Sequence, residues 1–323
     1  MSDLQVLEAA PQHAGDVLDV IHAAFGARQR LDPPSTAVQE SVDSVARALD
    51  EEGGLLALVD GLPAGALLFR ARHTSLVLRR VSVHPRFQQR GVASALVGVA
   101  EEVADRRGAD VVRLAARAEL PGTRRFWERR GYLVAVESGV HIEYAKTLPF
   151  EVTTSSASDT RRLGRQLAQS LTAGDVVLLS GELGAGKTTL AQGVGDGLGV
   201  RGEITSPTFV IARVHPSLGG GPALVHVDAY RLGGAAELDD LDLDTALSDA
   251  VTVVEWGGGL AEGLSEDRLE VSISRSPGHT DADHDELRTV RIVPVGLRWV
   301  GAALRPMLRP GPATTSGAPG RGR

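Results

Sequence analysis

The sequence predicts an α/β protein made of two domains, and three observations lead to this fold class. The chain has 323 residues, which is too long for one small domain and suits two. Hydrophobic residues make up 42% of it, so both parts can bury a core. Apolar strand patterns alternate with amphipathic helix patterns on both sides of a seam at residues 147–150.

The seam predicts a linker over residues 148–158, because Pro149 is followed shortly by the polar run TTSSASDT. We therefore expect a first domain over residues 1–147 and a second over 159–300. Residues 306–323 are rich in Pro, Gly, Ser, Thr and Arg, which predicts a disordered tail. The loop at 276–286 contains two His and several Asp, but its spacing fixes no ligand geometry, so a solvated hairpin loop is favoured over a metal site.

Composition excludes several classes of function. The chain has no cysteine, which removes disulfides, thiolate metal sites and cysteine nucleophiles. Its net charge of -7 gives no support to a surface that coats nucleic acid. The first residues carry acids without an apolar core, and no stretch is long and apolar enough to span a bilayer. We expect a soluble, cytoplasmic protein with no membrane partner.

The informative run in the first domain is LRRVSVHPRFQQRGVASALVGVAEEVADRRG, residues 78–108. Residues 78–83 alternate as a strand, and 88–93 lead into an amphipathic helix that runs to Ala104. Small residues at a helix start let backbone amides approach a diphosphate closely. A strand over 110–116 and a helix ending in FWERRGY complete the pattern.

This order of elements resembles the GCN5-related N-acetyltransferase (GNAT) family over residues 4–146. The resemblance implies a mixed α/β sheet and acetyl-CoA as the cofactor, with the acetyl group passing directly to an amine. The strand that ends at Val83 would bind the pantetheine arm, and the amides that follow would hold the pyrophosphate. The implied acetyl-CoA residues are Val83, Gln89, Arg90, Gly91, Val92, Ala93 and Ser94.

Two departures from the family pattern concern the acid and the base of the reaction. Many members have a Tyr where this chain has Trp127, whose indole lacks the acidity to protonate a thiolate. Leu120 lies near the place of an Asn that many members carry, and no Glu lies on the strand at 78–83. The candidate substitutes, each also explained as a surface or strand-end residue, are His73, His84 and Glu137. An acetyl-CoA sensor without turnover is thus a second interpretation, and the acetyl acceptor is not identified.

The second domain contains GELGAGKTT at residues 181–189, which matches the phosphate-binding loop G-x-x-x-x-G-K-[ST]. Among the 34 basic residues only Lys146 and Lys187 are lysines, and Lys187 occupies the lysine position of the motif. A lysine is a point charge that enters a phosphate-wrapping loop, whereas arginine is a wide planar fork. The flanking residues predict a strand over 175–180 and a helix that opens at Thr188, the order that the motif requires.

In that setting, loop amides and the helix N-terminus would hold the β-phosphate. Lys187 would reach the β- and γ-phosphates, and the Thr188 hydroxyl would ligate Mg²⁺. The predicted ATP-binding residues are Gly181, Glu182, Leu183, Gly184, Ala185, Gly186, Lys187, Thr188 and Thr189. A glycine-rich turn before an ordinary helix is the alternative.

Three further segments share this chemistry. SPTFVI at residues 206–211 can sense a γ-phosphate as switch segments do. An apolar strand closes on Asp228, and another ends in Glu255. Either acid alone would be explained as a solvated strand end. Together, downstream of a phosphate loop, they favour one metal ligand and one group that positions water.

GELGAGKTT, SPTF, HVDAYRL and VEWG occur in the order of the bacterial TsaE family, which residues 151–300 resemble. DTRRLG at 159–164 also fits the leading helix of that family. The resemblance implies a P-loop ATPase that supports formation of N6-threonylcarbamoyladenosine at position 37 of tRNA. It would act with the TsaD–TsaB heterodimer, meet tRNA only through that complex, and transfer no threonylcarbamoyl group itself.

Carried over residue by residue, the resemblance assigns Lys187 and Asp228 to hydrolysis and Thr188 and Glu255 to Mg²⁺. The residues placed at or near the nucleotide or a partner surface are Thr160, Tyr230, Arg231 and Trp256. Residues 257–259 are glycines where the family usually has Pro after Glu-Trp, which changes loop stiffness.

A small-metabolite kinase is the alternative function. It would need an acceptor site and a basic lid, whereas the region after the loop is acidic.

Overall fold

The computed structural model of the chain describes residues 3–28, 32–207, 211–231, 249–257, 262–275 and 287–308. The chain divides into two compact units. The first contains Met1–Pro149 with Val293–Ala302, and the second contains Phe150–Ile292 with Ala303–Arg323. Each unit has its own seven-stranded sheet flanked by helices, which confirms the predicted two-domain α/β class.

The first unit is built on a mixed sheet with the strand order β1-β2-β3-β4-β5-β7-β6. Strands β4 and β5 run parallel, and the other neighbouring strands run antiparallel. Leu55 packs in a core that includes α3, whereas Leu56 packs in a second core with α1 and α2. The elements are β1 Leu4–Ala9, α1 Ala14–Gly26, α2 Val42–Glu51, β2 Gly54–Val59, β3 Leu62–Arg72, β4 Ser75–Val83, α3 Val92–Arg106, β5 Val111–Arg117, α4 Pro121–Glu128, β6 Leu133–Ser138 and β7 His141–Thr147.

The parallel strands β4 and β5 are paired only over their first halves. The ladder runs from Ser75 opposite Val111 to Leu78 opposite Leu114, and beyond it the two strands separate. At that point the pairing of β3 with β4 shifts register, and Arg80 adopts a left-handed φ of 53°. A bulge of this kind bends a strand and redirects its side chains. The separated strand ends leave backbone groups available to a ligand in the middle of the sheet.

The second unit is built on a sheet with the strand order β10-β11-β12-β9-β13-β14-β8. Its central strands β11, β12, β9 and β13 run parallel, and the edge pairs β10–β11 and β14–β8 run antiparallel. Ligands of such sheets bind at the carboxyl ends of the parallel strands. The elements are β8 Phe150–Thr154, α5 Ala157–Ala168, β9 Val176–Gly181, α6 Lys187–Leu198, β10 Ala212–His215, β11 Ala223–Asp228, β12 Ala250–Glu255, β13 Arg268–Arg275, β14 Arg288–Val295 and α7 Leu304–Leu308.

The structure differs from the expected linker and tail. Residues 148–158 include strand β8 and the start of α5, because Phe150, Val152 and Thr154 are buried in alternation with exposed residues. That period of two is a strand pattern, which the Ser and Thr content of the segment obscured. In the expected tail, residues 306–308 belong to α7, where Leu308 is buried. Residues 276–286 and 309–323 lie outside the described residues.

No helix within the described ranges has both the length and the apolar character needed to cross a membrane.

Candidate nucleotide and acetyl-CoA sites

The phosphate-loop motif forms the connection between β9 and α6, and helix α6 begins at Lys187. Gly181, Gly184 and Gly186 have φ values of 141°, 76° and 112°, which other residues rarely adopt. A Cβ on Gly181 would also lie 2.3 Å from the carbonyl oxygen of Ile273 on the neighbouring strand. The glycines are therefore required by backbone geometry, and they bring the loop close to the strand ends.

The Lys187 ammonium is folded inside this loop. Its Nζ donates to the carbonyl oxygens of Gly181 and Glu182, each at 2.9 Å, and lies 3.6 Å from the centroid of the Trp256 ring. Burial lowers the pKa of Lys187, and the nearby carboxylates of Glu255 and Asp228 act in the opposite direction. The ammonium is thus held within the loop by two neutral carbonyl oxygens and by the face of an aromatic ring.

The two candidate carboxylates lie side by side. Asp228 and Glu255 end the parallel strands β11 and β12 and are paired in register. Both are buried, with 3% and 2% of their surface exposed. Thr188 donates its hydroxyl to the Glu255 carboxylate, with oxygen–oxygen distances of 2.8 and 3.0 Å. Asp228 accepts hydrogen bonds from the Ser206 hydroxyl at 2.8 Å and the Tyr230 amide at 3.0 Å.

This donor set fits Mg²⁺. Hydroxyl and carboxylate oxygens are the hard ligands that Mg²⁺ takes, and the ion usually completes its shell with substrate phosphates and water. In the described part of the chain, no group of three or more His, Asp or Glu residues forms a metal cage of protein atoms alone. The arrangement of Thr188, Glu255 and Asp228 beside a phosphate loop therefore suits an ion that arrives with a nucleotide.

A third group at these strand ends was missed by the sequence reasoning. His226 is 0% exposed, and its Nε2 lies 2.9 Å from Oε1 of Glu255. A carboxylate only accepts, so Nε2 carries the donated proton. The other ring nitrogen, Nδ1, is buried and has no hydrogen-bond partner among the described residues. The available signal was a polar residue inside an apolar strand, two positions before Asp228 and hence on the same face of the sheet.

We expect His226→Ala to destabilise the second unit by about 1–3 kcal/mol, because a buried carboxylate would lose a hydrogen-bond donor. The free energy of unfolding, measured by urea titration, checks this. His22→Ala removes an exposed imidazole from α1 and serves as the control, with an expected change within about 0.5 kcal/mol. Equal stability of the two variants would contradict the prediction.

A cavity of about 400 Å³ adjoins the loop and the two carboxylates. Tyr230 and Trp256, whose rings lie 5.2 Å apart, line one side of it. Thr160 lies beside the loop, since its Cγ2 would be 3.8 Å from a Cβ on Gly186. The lining residues are Leu183, Gly184, Gly186, Lys187, Thr188, Thr189, Ser206, Asp228, Tyr230, Glu255 and Trp256. Residues 208–210 of SPTFVI, 233–248, the glycines at 258–259 and the side chain of Arg231 lie outside the described set.

In the first unit, the segment predicted to hold a pyrophosphate lies between β4 and α3. Gln89 and Gly91 have φ values of 62° and 81°, and α3 begins at Val92 directly after them. A helix start leaves backbone amides without intrahelical acceptors, so it attracts phosphate. Arg130 donates to the carbonyl oxygen of Ser94 at 2.8 Å. An adjacent cavity of about 590 Å³ is lined by Ser94, Gly122, Arg125, Phe126, Arg129 and Arg130.

Trp127, at the position where many GNAT members have a Tyr, makes an apolar contact. It is 3% exposed and packs edge-on against Tyr132, with ring centroids 5.0 Å apart. The hydroxyl of Tyr132 donates a hydrogen bond to Glu101 at 3.0 Å, so it is not directed toward Trp127. Trp127 lines a second cavity, of about 450 Å³, at the separated ends of β4 and β5.

The three candidate substitutes for the acid and the base do not line this second cavity: they are His73, His84 and Glu137. His84 instead accepts the backbone N–H of Arg86 through Nδ1 at 3.2 Å. His141, at the start of β7, does line the cavity and was not singled out from the sequence. The sequence gives no sign of this position, because His141 reaches the cavity only when the fold places β7 beside β5.

The parallel sheet, the phosphate loop after β9 and the paired carboxylates define the second unit as a P-loop nucleotide-binding domain. Comparison with protein families then identifies which one. The model of the threonylcarbamoyl adenosine biosynthesis protein TsaE matches residues 154–282, and the model of the GNAT acetyltransferase family matches residues 23–132. The chain belongs to the TsaE family and also contains a GNAT domain.

Relatives of the second unit are proteins named tRNA threonylcarbamoyladenosine biosynthesis protein TsaE. The one from Streptomyces coelicolor is 65% identical over 143 residues, covering 44% of this chain and 95% of the relative. The one from Mycobacterium tuberculosis strain H37Rv is 57% identical over 130 residues, covering 38% of this chain and 77% of the relative.

Solved structures match each unit separately. The crystal structure of YdiB from Bacillus subtilis is 29% identical, with a TM-score of 0.38, and the match covers 48% of this chain and 90% of that one. The PaiA N-acetyltransferase of Thermoplasma acidophilum in complex with coenzyme A is 14% identical, with a TM-score of 0.41, covering 45% and 99%.

Proposed function

We propose that the second unit is an ATPase of tRNA N6-threonylcarbamoyladenosine biosynthesis that acts in the cytoplasm with a TsaD–TsaB heterodimer. In this proposal, tRNA is met only through that complex. The first unit is an acetyl-CoA-dependent N-acetyltransferase whose acceptor is an amine. The observation that carries the ATPase proposal is the position of Lys187, one of two lysines in the chain, beside the adjacent buried carboxylates Asp228 and Glu255.

In this proposal, Lys187 exchanges its loop carbonyls for the β- and γ-phosphate oxygens and offsets the charge that develops there. Thr188 and Glu255 hold Mg²⁺, which supplies positive charge to the same oxygens when bound. Asp228 accepts a hydrogen bond from the attacking water and orients it, while the Ser206 hydroxyl and the Tyr230 amide hold its carboxylate in place.

His226 has a supporting part in that arrangement. It donates to one oxygen of Glu255, which prevents the carboxylate from rotating away from Thr188. Groups that orient a ligand side chain in this way fix its geometry and its basicity. Because His226 is completely buried, it is a positioning residue rather than one that meets the nucleotide.

In the first unit, we assign the pantetheine arm to the free edge of β4 that ends at Val83. The pyrophosphate is assigned to the amides from Gln89 to Ala93 at the start of α3, with Ser94. The bulge at Arg80 and the separation of β4 from β5 support this assignment, because they open the sheet where the thioester would lie. Trp127 donates no proton to sulfur, so coenzyme A leaves as the thiolate and takes its proton from water.

The ATPase proposal is tested by measuring ATP hydrolysis by the purified chain, alone and with a TsaD–TsaB pair, each with and without tRNA. We expect slow hydrolysis by the chain alone and a marked change with the pair, because the family acts as part of that complex. Hydrolysis that is indifferent to the pair would overturn the assigned partner. It would then favour phosphoryl transfer to a small metabolite.

A further inference from the structure

The cavity of about 450 Å³ at the separated ends of β4 and β5 has an unusual charge for a site that is expected to take an amine. Three arginines, Arg28, Arg80 and Arg117, line it together with His141. Within the described ranges, no Asp or Glu lines it. An acceptor that was itself polycationic would be repelled by such a lining, since like charges at close range raise the free energy of binding.

Two of the three arginines are already neutralised by the protein. Arg80 contacts Glu40, with its Nε 3.0 Å from Oε1. Arg117 contacts Glu119 through two hydrogen bonds of 3.0 and 2.8 Å. Arg117 also donates to the carbonyl oxygens of Asp32 and Pro33, each at 2.7 Å. Both guanidinium groups are therefore occupied in tying the segment between α1 and α2 to the sheet.

Arg28 is different. Its guanidinium lies 3.8 Å from the centroid of the Phe25 ring, and none of the carboxylates in the described part of the chain forms an ion pair with it. Burial lowers the pKa of Arg28, which reflects a cation that has lost part of its water. A partly desolvated charge at the wall of a cavity is stabilised by an anion that enters the cavity.

The anion that would pair with Arg28 is not the pyrophosphate of acetyl-CoA, as that group was assigned above. The residues that would hold the pyrophosphate lie on the loop before α3, and neither that loop nor Ser94 lines this cavity. A separate cavity, of about 590 Å³, is lined by Ser94 with Arg125, Arg129 and Arg130. That cavity, and not the one lined by Arg28, adjoins the segment assigned to the pyrophosphate. The charge of Arg28 is therefore available to the acceptor.

We propose that the acceptor is an amine that also carries a carboxylate, and that Arg28 binds this carboxylate. The proposal rests on the acetyltransferase function proposed above and names its substrate class. The amine nitrogen attacks the thioester carbonyl carbon, the new C–N bond forms and the C–S bond breaks. Nitrogen loses one proton and the coenzyme A thiolate gains one, so the step balances without a further reactant.

The test uses the full chain and two dipeptides that share the same amine. Ala-Glu carries two carboxylates, whereas the C-terminal amide of Ala-Gln carries none and has nearly the same size. Coenzyme A release is followed with a thiol reagent, and dipeptide binding to the coenzyme A complex is measured by calorimetry. We expect kcat/KM and affinity to favour Ala-Glu by about 10- to 100-fold, the range of a charged hydrogen bond.

Arg28→Gln is expected to reduce this preference to less than about threefold, and Arg28→Lys to retain part of it because the charge remains. Arg106→Gln removes a cation from the surface of α3, away from the cavity, and should leave the preference unchanged. Equal use of the two dipeptides, or a preference for spermidine, would overturn the proposal. If coenzyme A binds but no amine is acetylated, the transferase function fails, and the calorimetric comparison still decides the carboxylate site.

Discussion

Lys187→Ala is expected to lower kcat for ATP hydrolysis by at least about 10²- to 10³-fold, the effect of removing one preorganised charge from a reacting centre. The reason lies in the neighbouring charges. Asp228 and Glu255 are both buried beside the loop, and Lys187 is a cation that interacts with both of them. Without the ammonium, two carboxylates would face the phosphates of the nucleotide, so ATP binding should weaken as well. Steady-state hydrolysis and nucleotide titration measure the two effects.

The chain supplies its own control for this variant. Lys146 is the other lysine, and its Nζ is paired with Glu101 at 2.8 Å in the first unit. Lys146→Ala makes the same chemical change outside the nucleotide site, so hydrolysis should be retained within about twofold, as for a substitution away from the site. Acetyl-CoA binding should be unchanged in Lys187→Ala. Hydrolysis that survived in Lys187→Ala would show that the loop has been assigned wrongly.

Glu255→Gln is expected to weaken nucleotide binding in the presence of Mg²⁺ by about tenfold or more, with little loss in the presence of EDTA. The amide is close to isosteric and retains an oxygen that can accept from Thr188 or His226, but it removes the negative charge that a divalent cation requires. The measurement is the dissociation constant of ADP under the two conditions, from titration of the full chain.

The matched variant is Asp228→Asn, which removes the adjacent carboxylate. Asp228 is assigned to the attacking water, so this change should lower kcat while leaving the affinity for Mg-ADP within about threefold. Losses of affinity in Glu255→Gln that are equal with Mg²⁺ and with EDTA would contradict the role of Glu255 as a metal ligand. A loss in Asp228→Asn that is confined to Mg²⁺ would exchange the two roles.

The features that could be predicted from the sequence are those carried by contiguous residues. The phosphate loop is encoded within nine positions, and its glycines are explained by positive φ angles within the loop itself. The strand ends at Asp228 and Glu255 were predicted from apolar runs that stop at an acid. Their adjacency depends on the strand order, which the parallel register of β11 and β12 shows. The chemical roles of these residues stay predictions.

What could not be predicted depends on contacts between distant segments. In the sequence, His226 is only a polar residue within an apolar strand. Its importance depends on strand β12, which places Oε1 of Glu255 2.9 Å from Nε2 of His226. Arg28 is unremarkable in the sequence, and its significance comes from a cavity whose other arginines find acids 40 and 2 positions away from themselves in the chain. Strand β8 was missed for a different reason, since only Phe150 and Val152 carry its apolar alternation and the Thr and Ser residues that follow them are typical of a linker.

In the proposed ATPase, the hydrogen bonds between Lys187 and its own loop make nucleotide binding an exchange of contacts. Its Nζ donates to two loop carbonyl oxygens and also lies against the face of the Trp256 ring. A ligand must therefore outcompete these internal acceptors, and its affinity is the difference between two sets of contacts. We therefore expect polyphosphates to bind more tightly than singly charged anions, which gain too little from the ammonium to displace its internal acceptors.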